Sequence, residues 1–168
     1  MCSSDLKNGV QTLLTTLKQD PYALETAHVS VITFDSSARQ AVPLTDLLSF
    51  QMPALTASGT TSLGEALSLT ASSIAKEVQK TTADTKGDWR PLVFLMTDGS
   101  PNDDWRKGLN DFKAARTGVV VACAAGHDAD TSVLKEITEI VVQLDTADSS
   151  TIKAFFKWVS EIGRASCR

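Results

Sequence analysis

Apolar positions along the chain switch between a helical and a strand rhythm. Val10, Leu13, Leu14 and Leu17 recur three and four apart, which predicts an amphipathic helix over residues 7–18. Asp20-Pro21 breaks it. The segment HVSVITF, residues 28–34, alternates, with Val29, Val31 and Thr33 on one face. It is rich in β-branched residues and reads as a strand. A short second strand is expected at 38–42, and 47–53 reads as irregular or a short helical turn. TASGTT, residues 56–61, is a polar turn that feeds a helix from Leu63 to about Lys80, with Leu63, Ala66, Leu67, Ile74 and Val78 inward. After a polar loop at 81–88, PLVFLM (91–96) is a continuous apolar run, as expected of a strand buried on both faces. A helix follows over 105–116, with Gly118 as its expected stop. VVVACA (119–124) reads as a second fully buried strand, 131–137 as a short helix and 140–144 as a last strand. The closing helix, 150 to about 160, turns Ile152, Phe155, Phe156 and Val159 inward.

Strands alternating with helices imply parallel pairing through right-handed crossovers. The expected fold is α/β: a doubly wound, Rossmann-like, mostly parallel sheet with helices on both faces. Ligands of such sheets sit beyond the carboxyl ends of the strands, which puts the loops 58–62 and 97–104 on one functional edge. One feature departs from the pattern. Buried parallel strands need neighbours on both sides, yet the chain opens with a helix, so the fold is expected to lack its first central strand.

The two ends read as foreign. Residues 1–6, MCSSDL, can be back-translated GTG TGC TCT TCC GAT CT, and residues 162–168, IGRASCR, fit ATC GGA AGA GCG TCG TGT AGG. These contain the complementary halves of one sequencing-library adapter. Residues 1–6 and 162–168 are therefore expected to be adapter-derived, and 7–161 to be one truncated domain. Setting them aside removes one acid (Asp5) and two bases (Arg164, Arg168), and moves the formal charge from −4 to −5. That acidic balance argues against a nucleic-acid surface. No apolar run is long enough to cross a bilayer. Of three cysteines, Cys2 and Cys167 lie in the foreign ends. Cys123 lies in an apolar run, which fits a core thiol in a reducing, cytoplasmic compartment.

Asp98 ends a rigid apolar strand and precedes Gly99, which permits a tight turn and close backbone approach. Thr60, Thr61 and Ser62 offer hydroxyls at the start of a helix on the neighbouring loop. Oxygen donors of this kind suit a hard cation such as Mg²⁺. One carboxylate with neutral hydroxyls leaves the metal under-neutralised, so it attracts an acidic side chain from outside. The sequence also allows plainer roles. Asp98 fits a turn or cap, Thr61 a helix N-cap, and Asp103 and Asp104 first-turn helix charges. His28 and His127 have no partners at metal-ligand spacing. Trp89, Trp105 and Trp158 are expected to pack. Ser100 lacks the G-x-S-x-G elbow of a nucleophile.

GTTSLGEAL (59–67) and VFLMTDGSPND (93–103) resemble two of the three loops of the metal-ion-dependent adhesion site of von Willebrand factor A-type (VWA) domains. The resemblance runs from Lys7 to about Ser160. Within that family, DPYALE, ITFD, GEAL, KGDW, MTDGSP and FFKWVS are similar to TerY-like bacterial proteins associated with tellurium-resistance loci. It implies Asp98 and Thr61 as metal ligands, with Thr60, Ser62, Gly99 and Ser100 as possible support. It also implies Mg²⁺ as the cofactor, a protein partner whose acidic residue completes the metal shell, kinase or phosphatase partners, and no catalysis. The third loop, Asp-x-Ser-x-Ser, is absent before the first helix. Asp35-Ser36-Ser37 follows what would be the second strand and reads as a decoy. Metal binding by these 168 residues is therefore expected to be weak or absent.

Two other functions are consistent with the residues. A Mg²⁺-dependent phosphoryl-transfer or hydrolase domain would need a nucleophile or general base near Asp98, and no P-loop or G-x-G-x-x-G is present. A structural subunit without a working metal site needs neither. Sequencing the natural locus upstream of Lys7 is predicted to reveal about five to six apolar strand residues ending in Asp-x-Ser-x-Ser; any other segment there contradicts the reading.

Overall fold

The most deeply buried run is VACAA, residues 121–125, where no side chain is more than 1% exposed. It belongs to the middle strand of a parallel sheet, so both faces and both edges are covered. The computed structural model describes residues 3–56, 59–145 and 149–166, apart from the side chains of 3, 149, 152, 160 and 162–166. Ala57 and Ser58 of the expected polar turn, the inward side chain of Ile152, and Met1, Cys2, Cys167 and Arg168 lie outside the described residues. Along the chain come α1 (Ser3–Lys18), α2 (Pro21–Thr26), β1 (His28–Phe34), β2 (Ala38–Asp46), α3 (Leu63–Glu77) and β3 (Val93–Thr97). Then follow α4 (Trp105–Ala114), β4 (Val120–Ala125), α5 (Thr131–Ile137), β5 (Val141–Leu144) and α6 (Ser149–Ser166).

β1 and β2 form an antiparallel pair, and β3-β4-β5 a parallel sheet. Val93 lies opposite Val120, and Ala122 opposite Val141. Alternate residues of β4 face opposite layers, as strand geometry dictates. Ala122 and Ala124 pack under α3, α4 and α5, with Leu63, Leu67, Leu109, Phe112, Val133, Leu134 and Ile137. Val121 and Cys123 pack under α6, with Phe155, Phe156 and Val159, while Leu6, Val10 and Leu13 of α1 close the layer. Helices thus cover both faces. Burial pushes the Cys123 thiol up to about 12, so it stays a neutral core group.

Several expectations need correction. Asp20-Pro21 does not merely end a helix. Asp20 caps α2 by accepting from the amides of Tyr22 and Ala23, with Pro21 in the first turn, where its missing N–H costs nothing. β2 continues past residue 42 through an exposed Pro43, which an edge strand tolerates. β3 is not buried throughout: only Leu95 and Thr97 are, and Val93, Phe94 and Met96 are half-buried. Among the described residues β3 pairs with β4 alone, so its other edge has no strand to cover its side chains. Gly118 is not the helix stop. α4 ends at Ala115, whose backbone is extended, and the Gly118 amide instead donates to Pro91 O at 2.8 Å. Trp105 packs on the core, but Trp89 is 77% exposed and Trp158 is exposed as well.

No ladder joins the β1–β2 pair to the three-stranded sheet. Helix α1 packs on both through Val10 and Leu13, and α3 adds polar contacts. At its carboxyl end, Glu77 accepts from the Leu44 amide at 2.8 Å and from Gln40 Nε2 at 2.9 Å. Gln40 also donates to Ser30 Oγ, which donates to Val42 O at 2.8 Å. Near its amino end, Gly64 meets Gly108 of α4 backbone to backbone, and a Cβ at Gly108 would overlap Gly64 O.

Two substitutions test this arrangement. Glu77→Ala removes two charge-assisted hydrogen bonds and is expected to cost about 1.5–3 kcal/mol of unfolding free energy. Gly108→Ala forces α3 and α4 apart and is expected to cost about 1–3 kcal/mol. Urea unfolding midpoints measure both, and unchanged midpoints contradict the assignment.

Candidate functional site

β3 ends at Thr97, a buried threonine whose hydroxyl serves its own turn. Thr97 Oγ1 accepts from the Gly99 amide at 3.3 Å and lies 3.4 Å from Gly99 O. A hydroxyl used this way mimics a backbone turn, and it fixes the half-buried Asp98 at the carboxyl edge of the sheet. The loop before α3 lies against this turn. Thr61 O accepts from the Asn102 amide at 3.1 Å, and a Cβ on Gly99 would sit 2.8 Å from Thr61 Oγ1. The absent side chain at Gly99 therefore lets the Thr61 hydroxyl rest on the backbone next to Asp98.

The remaining sequence candidates separate from this pair. Thr60 is exposed. Ser62 is buried, and its amide donates to Asp35 O at 2.9 Å, which docks the loop onto the end of β1. Ser100 turns its hydroxyl to Asp128 O in the loop after β4, at 3.3 Å. Asp35 accepts from the Ser37 amide at 3.2 Å in a local turn. Asp130, on the same edge, caps α5; the Ser132 hydroxyl, with the Ser132 and Val133 amides, holds its carboxyl below the usual range. His28 Nδ1 lies 3.2 Å from Thr26 O, and His127 is exposed.

The N-cap expectation for Thr61 is corrected: Ser62 occupies that position, and its side chain makes no capping bond. The capping acceptor is Asp103, from the loop that carries Asp98. Asp103 Oδ1 accepts from the Gly64 amide and Oδ2 from the Glu65 amide, each at 3.0 Å. Asp103 is thus not a first-turn charge of α4, and Asp104, at the N-cap of α4, makes no side-chain cap either. Sequence reasoning missed this role because capping signals are read within a few residues, whereas Asp103 lies 39 residues from Gly64. The available sign was the pair of glycines, Gly64 and Gly108, in helices otherwise built of good formers.

The edge places the Thr61 hydroxyl beside the turn that carries Asp98. Among the described residues no group of three or more His, Cys, Asp and Glu is gathered as a metal cage. Oxygen donors in this number suit Mg²⁺, which keeps most of its waters and takes only one or two carboxylates; they do not suit zinc's preference for nitrogen and sulfur. The donor set fits a hard cation in kind and falls short of a complete shell.

Solved structures share the fold. A von Willebrand factor type A protein from Catenulispora acidiphila superposes with a TM-score of 0.70 at 16% identity, over 94% of this chain and 37% of that one. Proximal thread matrix protein 1 from the mussel byssus gives 0.69 at 16% identity, over 95% and 43%. The same mussel protein with a zinc-occupied metal-ion-dependent adhesion site gives 0.58 at 18% identity, over 93% and 41%. The chain spans less than half the length of each. No curated protein sequence matches it. The sequence profile of the von Willebrand factor type A domain matches residues 2–157, and the chain belongs to that family.

Proposed function

We propose that this VWA domain is a Mg²⁺-dependent protein-interaction module, a binding domain without catalytic activity. The observation that carries the reading is the position of Thr61 Oγ1, 2.8 Å from where a side chain on Gly99, the neighbour of Asp98, would begin. The loop that carries Thr61 and the turn that carries Asp98 thus lie side by side at the sheet edge. Asp98 and Thr61 would hold the cation. A bound dication would supply residual positive charge, and a carboxylate of the partner protein is the natural group to meet it. The zinc-occupied adhesion site of the mussel protein supports a divalent cation in this family.

The donor set is completed from outside the 168 residues, by a strand ending in Asp-x-Ser-x-Ser. In support, β1 pairs with β2 alone and β3 with β4 alone among the described residues. Each therefore has an edge on which a further strand would find backbone partners. The resemblance of DPYALE, ITFD, GEAL, KGDW, MTDGSP and FFKWVS to TerY-like segments is the ground for proposing a tellurium-resistance or related stress system, with kinase or phosphatase partners and a cytoplasmic location. Among the described residues no helix is long and apolar enough to cross a membrane.

Hydrolysis or phosphoryl transfer is the rival reading. It would need a base or nucleophile beside Asp98. Ser100 turns its hydroxyl to Asp128 O in the next loop, and His28 Nδ1 lies against Thr26 O.

Calorimetric titration with Mg²⁺ tests the proposal. The 168-residue chain is expected to bind weakly or not at all, and a longer chain that restores the strand is expected to bind. Asp98→Ala should abolish that binding, and Thr61→Ala should weaken it about tenfold, the lower range for a supporting ligand. Capture of an acidic partner peptide should disappear with chelator. Binding that ignores Asp98→Ala overturns the metal reading, and turnover of a phosphate ester overturns the non-enzymatic one.

A further inference from the structure

Asp103 has no place in the metal shell described above, yet its side chain ties the Asp98 loop to the first turn of α3. We infer that Asp103 is a positioning residue: its carboxylate latches the Thr61 loop to the Asp98 loop, assembling the metal edge before any cation arrives. The inference rests on the metal-binding reading for its purpose, but the latch itself stands on separate contacts.

A helix start leaves backbone N–H groups without intrahelical partners, and an anion there is favoured by the helix dipole. A local cap would satisfy them. Here the local candidate, Ser62, makes no side-chain cap, and both oxygens of Asp103 take the Gly64 and Glu65 amides at 3.0 Å. An acceptor drawn from a distant loop does what a local cap cannot: it fixes the loop relative to the helix.

The backbone is shaped for this approach. A Cβ at Gly64 would meet Trp105 Cα at 2.7 Å, Asp104 O at 2.8 Å and Asp103 Oδ2 at 3.1 Å. Only glycine leaves room for the 103–105 segment to lie on α3. Two backbone bonds then continue the line of contact across the edge: Asn102 N–H to Thr61 O, and Ser62 N–H to Asp35 O. The latch, Thr61 and the Gly99 turn thus form one connected strip. Charge adds a second element. Asp103 is compensated by two amides, so its carboxylate is held away from the cation's coordination and does not compete with Asp98.

The test separates a latch from a mere stabiliser of α3. Amide hydrogen exchange is measured on the metal-free chain for Asp103→Ala and for Ser68→Ala. The latter removes the Ser68–Asp111 bond between the same two helices, at 2.8 Å, without touching either loop. Asp103→Ala is expected to speed exchange at Gly64, Glu65 and Asn102 by about tenfold, the scale of one lost hydrogen bond, and Ser68→Ala should leave Asn102 unchanged. Unchanged exchange at Asn102 in Asp103→Ala, or an equal response in both variants, overturns the latch. On the longer chain, Mg²⁺ affinity should fall about tenfold in Asp103→Ala and recover part of that loss in Asp103→Glu. Loss of Mg²⁺ affinity in Asp98→Ala but none in Asp103→Ala also overturns the latch and leaves the metal site standing. Indifference of both variants to Mg²⁺ overturns the metal reading, and the exchange result still decides whether Asp103 ties the loops together.

Discussion

Everything on the sheet edge depends on how α3 is held. The β1–β2 pair and the β3–β4–β5 sheet share no ladder, so hydrogen bonds between strands do not set their relation. Helix α1 packs on both through Val10 and Leu13, and α3 adds polar contacts at its two ends. Glu77 grips Gln40 and the Leu44 amide at the carboxyl end. Asp103 holds the amino end, and Ser62 docks on Asp35. The apolar face between, Leu63, Ala66 and Leu67, is buried. Apolar contact supplies the bulk of such a packing energy but no direction. The charged acceptors supply direction, which is what a site built from two loops requires.

Much of this fold was legible in the chain. The β1 and α5 boundaries, His28–Phe34 and Thr131–Ile137, match the pattern because each is framed by strong signals: β-branched alternation in one, and Asp130 before Thr131 in the other. Failures came where tertiary context outweighed local pattern. Pro43 does not end β2, because an edge strand needs no amide there. The apolar run 91–96 does not become a fully covered strand, because burial depends on a neighbour that no local pattern contains. Trp89 is apolar by composition and exposed in fact, with Lys86 Nζ 5.6 Å from its ring.

The candidate site divides in the same way. Asp98 was singled out through the resemblance of VFLMTDGSPND to an adhesion-site loop, since by position alone it fits a turn or cap equally well. Thr61 was visible only through its spacing to Ala66 and Leu67. Which hydroxyl of the 60–62 trio approaches the Gly99 turn is a matter of three dimensions: Thr60 is exposed, the Ser62 amide bonds Asp35, and Thr61 abuts Gly99. Asp103 was invisible as a cap, since no short-range rule pairs an acid with a helix start on the far side of two intervening elements.

The division of labour among the acids of this edge bears on the kind of chemistry it can host. Asp130 and Asp103 both spend their oxygens on helix amides, and Asp35 spends one on the Ser37 amide. Each of these carboxylates is engaged by backbone donors of its own or a neighbouring loop. They act as fixed anions that shape loops. Asp98 sits among them on a turn secured by Thr97, next to Gly99, against which the Thr61 hydroxyl lies. An acid held on a turn in this way supports, in the proposed reading, the recognition of an oppositely charged group such as a cation.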